Sequence, residues 1–222
     1  MTEFAAARTN MIESQVRPNG ITDRRIIAAM EQIAREDFVP ENRRVVAYVD
    51  EDVPLAPSDA AQGPRALIEV MAFARMLQHA AVKPTGKVLM VGAGTGYGTA
   101  VVSALAASVV AVESDAGLVA EARRALSGIP NVKIVEGSLE AGAKGDGPFD
   151  VIVLEGRAEV VPQSLLDQLA DGGRLVAVVG EADMAQACVF TKSGAAVAVR
   201  AAFDASVAAL PGFRKKKPAF VF

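Results

Sequence analysis

The feature that most constrains this fold is an apolar run, residues 88–91, followed by glycines at positions 92, 94 and 96. A segment of small residues, 99–107, comes next and has helical character. This order predicts a buried strand, a tight turn and a helix. Glycines permit the sharp turn and let a ligand approach main-chain N–H groups, because no Cβ stands in the way. The helix behind the turn adds unpaired N–H groups and the positive end of its dipole.

A second apolar run, residues 109–112, ends at Glu113, about 20 residues after the first glycine. An acid at the tip of the second strand of a Rossmann-type fold accepts hydrogen bonds from a ribose. The turn and the acid together predict a nucleoside ligand. The alternative is a glycine-rich turn in an α/β core beside a solvated Glu113. The spacing is Gly-x-Gly-x-Gly rather than Gly-x-Gly-x-x-Gly, which disfavours a dinucleotide-dependent dehydrogenase.

The composition excludes several classes of protein. The chain of 222 residues carries 23 basic and 26 acidic residues, which argues against a general nucleic-acid-binding protein. The basic run at residues 214–217 is interpreted as a solvated loop. The single cysteine, Cys188, and the single histidine, His79, are predicted to pack rather than to bind metal or catalyse. We find no signal-peptide pattern and no apolar stretch of membrane-spanning length, so the predicted location is the cytoplasm, with no membrane partner.

Apolar runs alternate with helical segments over most of the chain, which predicts an α/β fold with a mostly parallel sheet covered on both faces. Beyond Glu113, strands are predicted over residues 131–136, 149–154 and 174–180, and helices over 116–126 and 162–169; two more apolar runs are 187–191 and 195–202. Helices over residues 5–15, 22–35 and 67–81 come before the glycine turn. The predicted organisation is a helical cover with a substrate loop, residues 1–82, on an α/β core, residues 83–222, forming one compact unit.

The order and spacing of short sequence blocks resemble the protein-L-isoaspartate O-methyltransferases, which use S-adenosylmethionine. No single block makes the resemblance specific, and the N-terminal half contributes most to it. The matching blocks are residues 20–26, 35–40, 47–50, 53–55, 92–97, 113, 131–132, 149–150 and 172–176. The match runs from Met11 to Gly180, whereas residues 210–222 fit the family pattern poorly.

This resemblance implies a Rossmann-like class I methyltransferase fold and methyl transfer to the α-carboxylate of an isoaspartyl residue in a damaged protein. It implies S-adenosyl-L-methionine as the cofactor, with no nucleic acid as partner. A carboxylate acceptor is already an anion, so catalysis can depend on holding two reactants in line rather than on a base or a metal. The residues expected to bind the cofactor are Gly92, Ala93, Gly94, Gly96, Tyr97, Glu113, Ser138 and Leu139.

The sequence departs from the family pattern in three places. Met90 stands where the family has an acid two residues before the first glycine, and Ser138 replaces the aspartate of a Gly-Asp-Gly. In the substrate loop, Ala66 and Ile68 replace the hydroxyls of Gln-Thr-Ile-Ser-Gln-Pro. A site built to hydrogen-bond a carboxylate discriminates less well without its polar partners.

Three positions are candidates for contact with the acceptor: the Ile68 position, Arg65 and Glu155. The guanidinium of Arg65 can clamp a carboxylate, but the residue can equally be a solvated loop residue. Glu155 ends a predicted strand, where open α/β sheets place ligands; the alternative is a surface Glu155 paired with Arg157. The departures leave two other functions open: a paralogue that methylates another acceptor, and a non-catalytic binding module on the same fold.

Overall fold

A computed structural model describes residues 3–55 and 65–215 of the chain. The helices are α1 Glu3–Met11, α2 Arg24–Gln32, α3 Val70–Ala80, α4 Tyr97–Ser103, α5 Ala116–Ala125 and α6 Gln163–Leu166. The strands are β1 Val53–Pro54, β2 Ala66–Leu67, β3 Lys87–Val91, β4 Ser108–Glu113, β5 Val132–Glu136, β6 Phe149–Ala158, β7 Leu169–Val179, β8 Gln186–Ser193 and β9 Ala196–Asp204. A π-helical turn, Ile12–Val16, and short 3₁₀ segments, Arg17–Asn19, Arg35–Phe38, Glu41–Val46, Lys144–Asp146 and Ala182–Met184, complete these elements.

A seven-stranded sheet forms the centre of the molecule, in the order β5-β4-β3-β6-β7-β8-β9. In this order, neighbouring strands from β5 to β7 are parallel to each other. Strand β8 is antiparallel to β7, and β9 is antiparallel to β8. The carboxyl ends of β3, β4 and β6 therefore meet at one edge, which we call the carboxyl edge. Buried strands and the crossover at β3 confirm the predicted Rossmann-like class I methyltransferase fold.

The cover formed by the N-terminal helices shares its apolar core with the sheet. Met11, Ile12 and Ile26 are buried in the same cluster as Val88 and Met90 of β3. Met11 and Ile12 therefore lie on the face of the cover that packs against the sheet. Burial of helices and sheet in one cluster is consistent with a compact unit, whereas the division at residue 82 stays a prediction.

The structure corrects two of the predicted helices. Leu67 pairs with Val53 in the small β1–β2 sheet, so α3 begins at Val70 rather than at Leu67. Helix α6 ends at Leu166, because the chain enters β7 at Leu169. Tertiary pairing with a neighbouring strand overrides local helical pattern in both places.

The isolated histidine packs against an aromatic ring, whereas the isolated cysteine is less buried than predicted. The ring of His79 stacks on Phe203, with 5.7 Å between ring centroids, which confirms the predicted packing role. Cys188 on β8 is half-buried rather than fully buried. Residues 216 and 217 of the predicted basic loop lie outside the described residues, as do residues 56–64. Within the described part of the chain, every helix is too short or too polar to traverse a bilayer.

Asp23 caps α2: its Oδ1 accepts a hydrogen bond of 2.9 Å from the backbone N–H of Arg25. We expect Asp23→Ala to lower the free energy of unfolding by about 1 kcal/mol in urea titrations, because an N–H of the first turn loses its acceptor. Asp23→Asn keeps an acceptor oxygen and is the matched control, with less than half that loss. An equal loss in both variants would assign the effect to the exposed ion pair with Arg25 instead.

Candidate functional site

The turn between β3 and α4 has the predicted shape. Gly92, Gly94 and Gly96 have φ values of +83°, +55° and +102°, in the left-handed region that favours glycine. The N–H groups of Gly92 and Ala93 donate to the carbonyl of Val112 at 2.9 and 3.2 Å, which ties the turn to β4. The sequence therefore folds locally as expected and brings the turn beside the tip of β4.

Glu113 lies at that tip and is 0% exposed. Its Oε1 accepts from Arg65 Nη1 at 2.8 Å and from the N–H groups of Ser114 and Asp115 at 2.8 and 3.1 Å. Its Oε2 accepts from Arg65 Nη2 at 2.7 Å and from the N–H of Gly94 at 2.8 Å. A carboxylate offers about four lone-pair sites, so these five donors leave it no free site for a further hydrogen bond. The alternative of a solvated Glu113 is wrong.

Arg65 is 4% exposed and forms a bidentate ion pair with Glu113. It directly precedes β2, and its carbonyl accepts a 2.9 Å hydrogen bond from the N–H of Leu55. The interpretation of Arg65 as a solvated residue is therefore wrong. Its guanidinium does clamp a carboxylate, but that carboxylate belongs to the chain itself.

Apolar side chains cover the glycine turn on its other sides. A Cβ built on Gly92 would lie 2.6 Å from Cδ2 of Leu210 and 3.4 Å from Nη2 of Arg65. A Cβ built on Gly94 would lie 2.9 Å from Cδ1 of Leu55. The space that the glycines leave open is thus filled from within the chain.

Leu210 belongs to a segment, residues 205–213, that we call the C-terminal strap. The N–H of Leu210 donates to the carbonyl of Arg157 at 2.8 Å, and the N–H of Arg157 donates to the carbonyl of Ala208 at 2.8 Å. The N–H of Ala208 donates to Oδ2 of Asp52 at 2.6 Å. Sequence reasoning missed this segment. The three-residue spacing of Val207, Leu210 and Phe213, all buried, is the signal that would have indicated it.

Glu155 lies near the carboxyl end of β6 and is 7% exposed. A Cβ built on Gly98 would overlap its carboxyl group, so the glycine in α4 makes room for the acid. Burial raises the pKa of Glu155 to about 8, against the attraction of Arg65, and the charge of Glu113 adds to the rise. Among the described residues, none donates a hydrogen bond to its Oε1. The alternative of a surface Glu155 paired with Arg157 is wrong, since Nη1 of Arg157 donates to the carbonyl of Gly180.

A second buried guanidinium lies on the same side of the molecule. Arg35 Nε donates to the carbonyl of Ala47 at 2.8 Å, and Nη2 donates to the carbonyl of Ile68 at 2.9 Å. Its guanidinium carbon lies 4.8 Å from the centre of the Tyr97 ring. Ile68 therefore holds Arg35 through its carbonyl, while its side chain is buried in the apolar core. Arg35 was not among the residues singled out from the sequence, because its partners are backbone groups distant in the chain.

The remaining predicted cofactor residues fall into two environments. Ala93, Tyr97 and Leu139 are buried, and Ser138 is exposed beyond the end of β5. Met90, at the family's acid position, is buried in β3 between Ala111 and Val153. The structure therefore brings the glycine turn, Tyr97 and Glu113 together.

These observations also test the fit of S-adenosylmethionine. The turn and the acid are the right residue types for a nucleoside, but Leu55, Arg65 and Leu210 occupy the space beside them. The oxygens of Glu113, which the sequence predicts to bind a ribose, already accept from Arg65 and from main-chain N–H groups. In the conformation described, the site does not fit the cofactor.

A sequence profile of the protein-L-isoaspartate(D-aspartate) O-methyltransferases matches residues 6–211. This chain belongs to that family. A curated protein-L-isoaspartate O-methyltransferase of Koribacter versatilis is 39% identical over 83% of this chain and 81% of its own length. One from Methanoculleus marisnigri is 38% identical over 78% of this chain and 77% of its own length.

Solved structures of methyltransferases agree with this assignment at the level of the fold. A protein-L-isoaspartate O-methyltransferase superposes with a TM-score of 0.79 at 24% identity, over 92% of this chain and 66% of that one. A Plasmodium falciparum chain described as the same enzyme, in complex with S-adenosyl-L-homocysteine, gives a TM-score of 0.74 at 21% identity, over 95% and 99%. This family member therefore has the fold of its relatives.

The buried acid Glu155 makes stability depend on pH. Its folded pKa of about 8 exceeds the ordinary carboxyl value of 4.5, so between these values only the unfolded chain ionises. Unfolding then releases a proton, and the free energy of unfolding falls by up to about 1.4 kcal/mol per pH unit as pH rises. We expect Glu155→Gln to flatten this slope in urea titrations between about pH 5 and pH 7.5. Equal slopes of the free energy of unfolding against pH in the unaltered chain and in Glu155→Gln would contradict the raised pKa of Glu155. Burial also raises the pKa of Glu69 to about 7, but Glu69 is present in both proteins and contributes equally to both slopes.

The ion pair of Arg65 and Glu113 allows a double-mutant test. We expect Glu113→Gln to lower the free energy of unfolding by about 3–5 kcal/mol, because it leaves the Arg65 guanidinium buried without its counter-charge. Arg65→Met combined with Glu113→Gln removes both charges and is expected to be more stable than Glu113→Gln alone. Urea titrations of the unaltered chain, the single variants Arg65→Met and Glu113→Gln, and the double variant give the coupling energy of the pair. Additive losses would mean that the two groups do not interact.

Proposed function

We propose that this protein is an S-adenosylmethionine-dependent carboxyl methyltransferase that repairs isoaspartyl residues of damaged proteins in the cytoplasm. The observation that carries the proposal is family membership over residues 6–211, together with relatives 38–39% identical that are named for this activity. The glycine turn and Glu113 support it, since both are retained at the carboxyl edge. The reaction would require an open form of the site, because Arg65 and Leu210 fill it in the form described.

The chemistry of the acceptor suits the residues of this site. An isoaspartyl α-carboxylate is an anion at neutral pH, so no side chain has to remove a proton before methyl transfer. The protein then contributes position and the exclusion of water. We propose Arg65, the Ile68 position and Glu155 as the positions that meet the acceptor. With its pKa near 8, Glu155 is mostly protonated at neutral pH and carries an O–H that can donate to a carboxylate.

A second function, a non-catalytic binding module, is favoured by one specific observation. All five donors to Glu113 come from the chain itself, and Arg65 supplies two of them through a buried bidentate pair. A carboxylate that is already saturated gains little from ribose hydroxyls. A protein with this second function has the fold of the family but does not bind the cofactor.

Transfer of a labelled methyl group separates these functions. The purified chain is incubated with S-adenosylmethionine labelled on the methyl group and a peptide containing one isoaspartyl residue. The same peptide with a normal aspartate is the matched control. We expect the isoaspartyl peptide to gain label at least ten times faster, because its free α-carboxylate is bonded directly to Cα, whereas the free carboxylate of a normal aspartate lies one carbon farther from the main chain.

The other outcomes have distinct meanings. Label on lysate proteins with none on the isoaspartyl peptide would favour a paralogue with a different acceptor, consistent with Ala66 and Ile68 in place of the family's hydroxyls. No label on any acceptor would contradict the proposal and favour the binding module.

A further inference from the structure

Two side chains from separate segments occupy the place where a nucleoside would meet the glycine turn. Arg65, before β2, supplies two of the five hydrogen bonds that Glu113 accepts. Leu210, in the C-terminal strap, lies against Gly92 so closely that a Cβ there would be 2.6 Å from its Cδ2. The same virtual Cβ lies 3.4 Å from Arg65, so the two side chains cover one spot from two sides.

From this arrangement we infer that Arg65 and Leu210 form a latch that competes with the cofactor for its own site. The inference rests on the proposed function, since it concerns the same cofactor. The two side chains hold the site in its closed conformation. The C-terminal strap must therefore move away before a nucleoside binds.

The strap is paired with the sheet at one bridge, between residues 157 and 209, whereas a strand such as β3 is paired along both sides. Its other backbone bonds run from the N–H of Ala205 to the carbonyl of Ala185 at 3.2 Å, from the N–H of Ala208 to Asp52, and from the N–H groups of residues 159 and 160 to the carbonyl of Phe213 at 2.9 and 3.3 Å. Asp52 also accepts from the N–H of Glu69, at 2.8 Å, just before α3. Segments held by few backbone hydrogen bonds open at lower free-energy cost than strands inside a sheet.

Opening has a direct consequence for affinity. When only a fraction of the molecules is open, the apparent dissociation constant rises by the inverse of that fraction. A variant that weakens the closed form without touching the turn should therefore bind more tightly. Leu210→Ala meets this condition, because it removes the side chain over Gly92 and leaves no charge unpaired.

The test is isothermal titration of full-length proteins with S-adenosyl-L-homocysteine, which binds without turnover. We expect Leu210→Ala to bind at least about ten-fold more tightly than the unaltered chain, which corresponds to about 1.4 kcal/mol. Leu169→Ala is the matched control: it also truncates a buried leucine, but at the start of β7, on the opposite edge of the sheet, and should leave affinity unchanged. Arg65→Met removes the other half of the latch and frees two accepting positions of Glu113, so it should also tighten binding; a urea titration checks that this variant is folded, because the Glu113 charge loses its partner.

Amide hydrogen exchange on the same proteins reports the latch without any ligand. We expect Leu210→Ala, and not Leu169→Ala, to speed exchange at residues 205–213 and at Gly94. Equal, measurable affinity in the unaltered chain and both latch variants would overturn the latch and leave the proposed function standing. Absence of binding in every variant, despite faster exchange in Leu210→Ala, would overturn both the proposed function and the competition.

Discussion

The buried ion pair between Arg65 and Glu113 organises the carboxyl edge of this molecule. It joins a residue before β2 to the tip of β4, 48 positions later in the chain. Through the N–H of Gly94, the same carboxylate also holds the glycine turn. A buried charge needs partners for its hydrogen-bonding positions, and Glu113 obtains five hydrogen bonds from within the chain. The shape of the turn and the closure of the site thus depend on one carboxylate.

The ion pair also affects the protonation of the neighbouring acid at this edge. Glu155 stays mostly protonated at neutral pH because burial and the charge of Glu113 outweigh the attraction of Arg65 and Arg35. Gly98 provides the space for its carboxyl group. Leu55 and Leu210 then exclude water from the turn, which strengthens the ion pair by lowering the local dielectric. Apolar cover and buried charge support each other here.

The packing at this edge explains how the residues that depart from the family pattern are accommodated. Met90 is accommodated because the carboxyl half of β3 is fully enclosed by β4 and β6, where an apolar side chain packs well. Ile68 keeps a structural role through its carbonyl, which binds Arg35, although its side chain no longer offers a hydroxyl. Arg65 has the largest effect, since it makes the acid predicted to bind a ribose into half of an internal ion pair.

Much of the fold was predictable from the sequence because it depends on local patterns. Apolar runs of strand length, helical periodicity and the glycines at 92, 94 and 96 determined the strand–turn–helix unit. Asp23 was recognisable as a possible helix cap from its position alone. The short blocks and their order also determined the family.

What only the tertiary structure decided is which groups meet at the carboxyl edge. Arg65 is equally compatible with solvent and with a carboxylate when it is seen in the sequence, because its partner depends on how β2 is placed against β4. The strap depends in the same way on contacts between residues 208 and 52, which are 156 positions apart. Local sequence determines periodicity and turn geometry, whereas the partner of a buried charge is chosen by the packing of the whole chain, since burial itself creates the need for a partner.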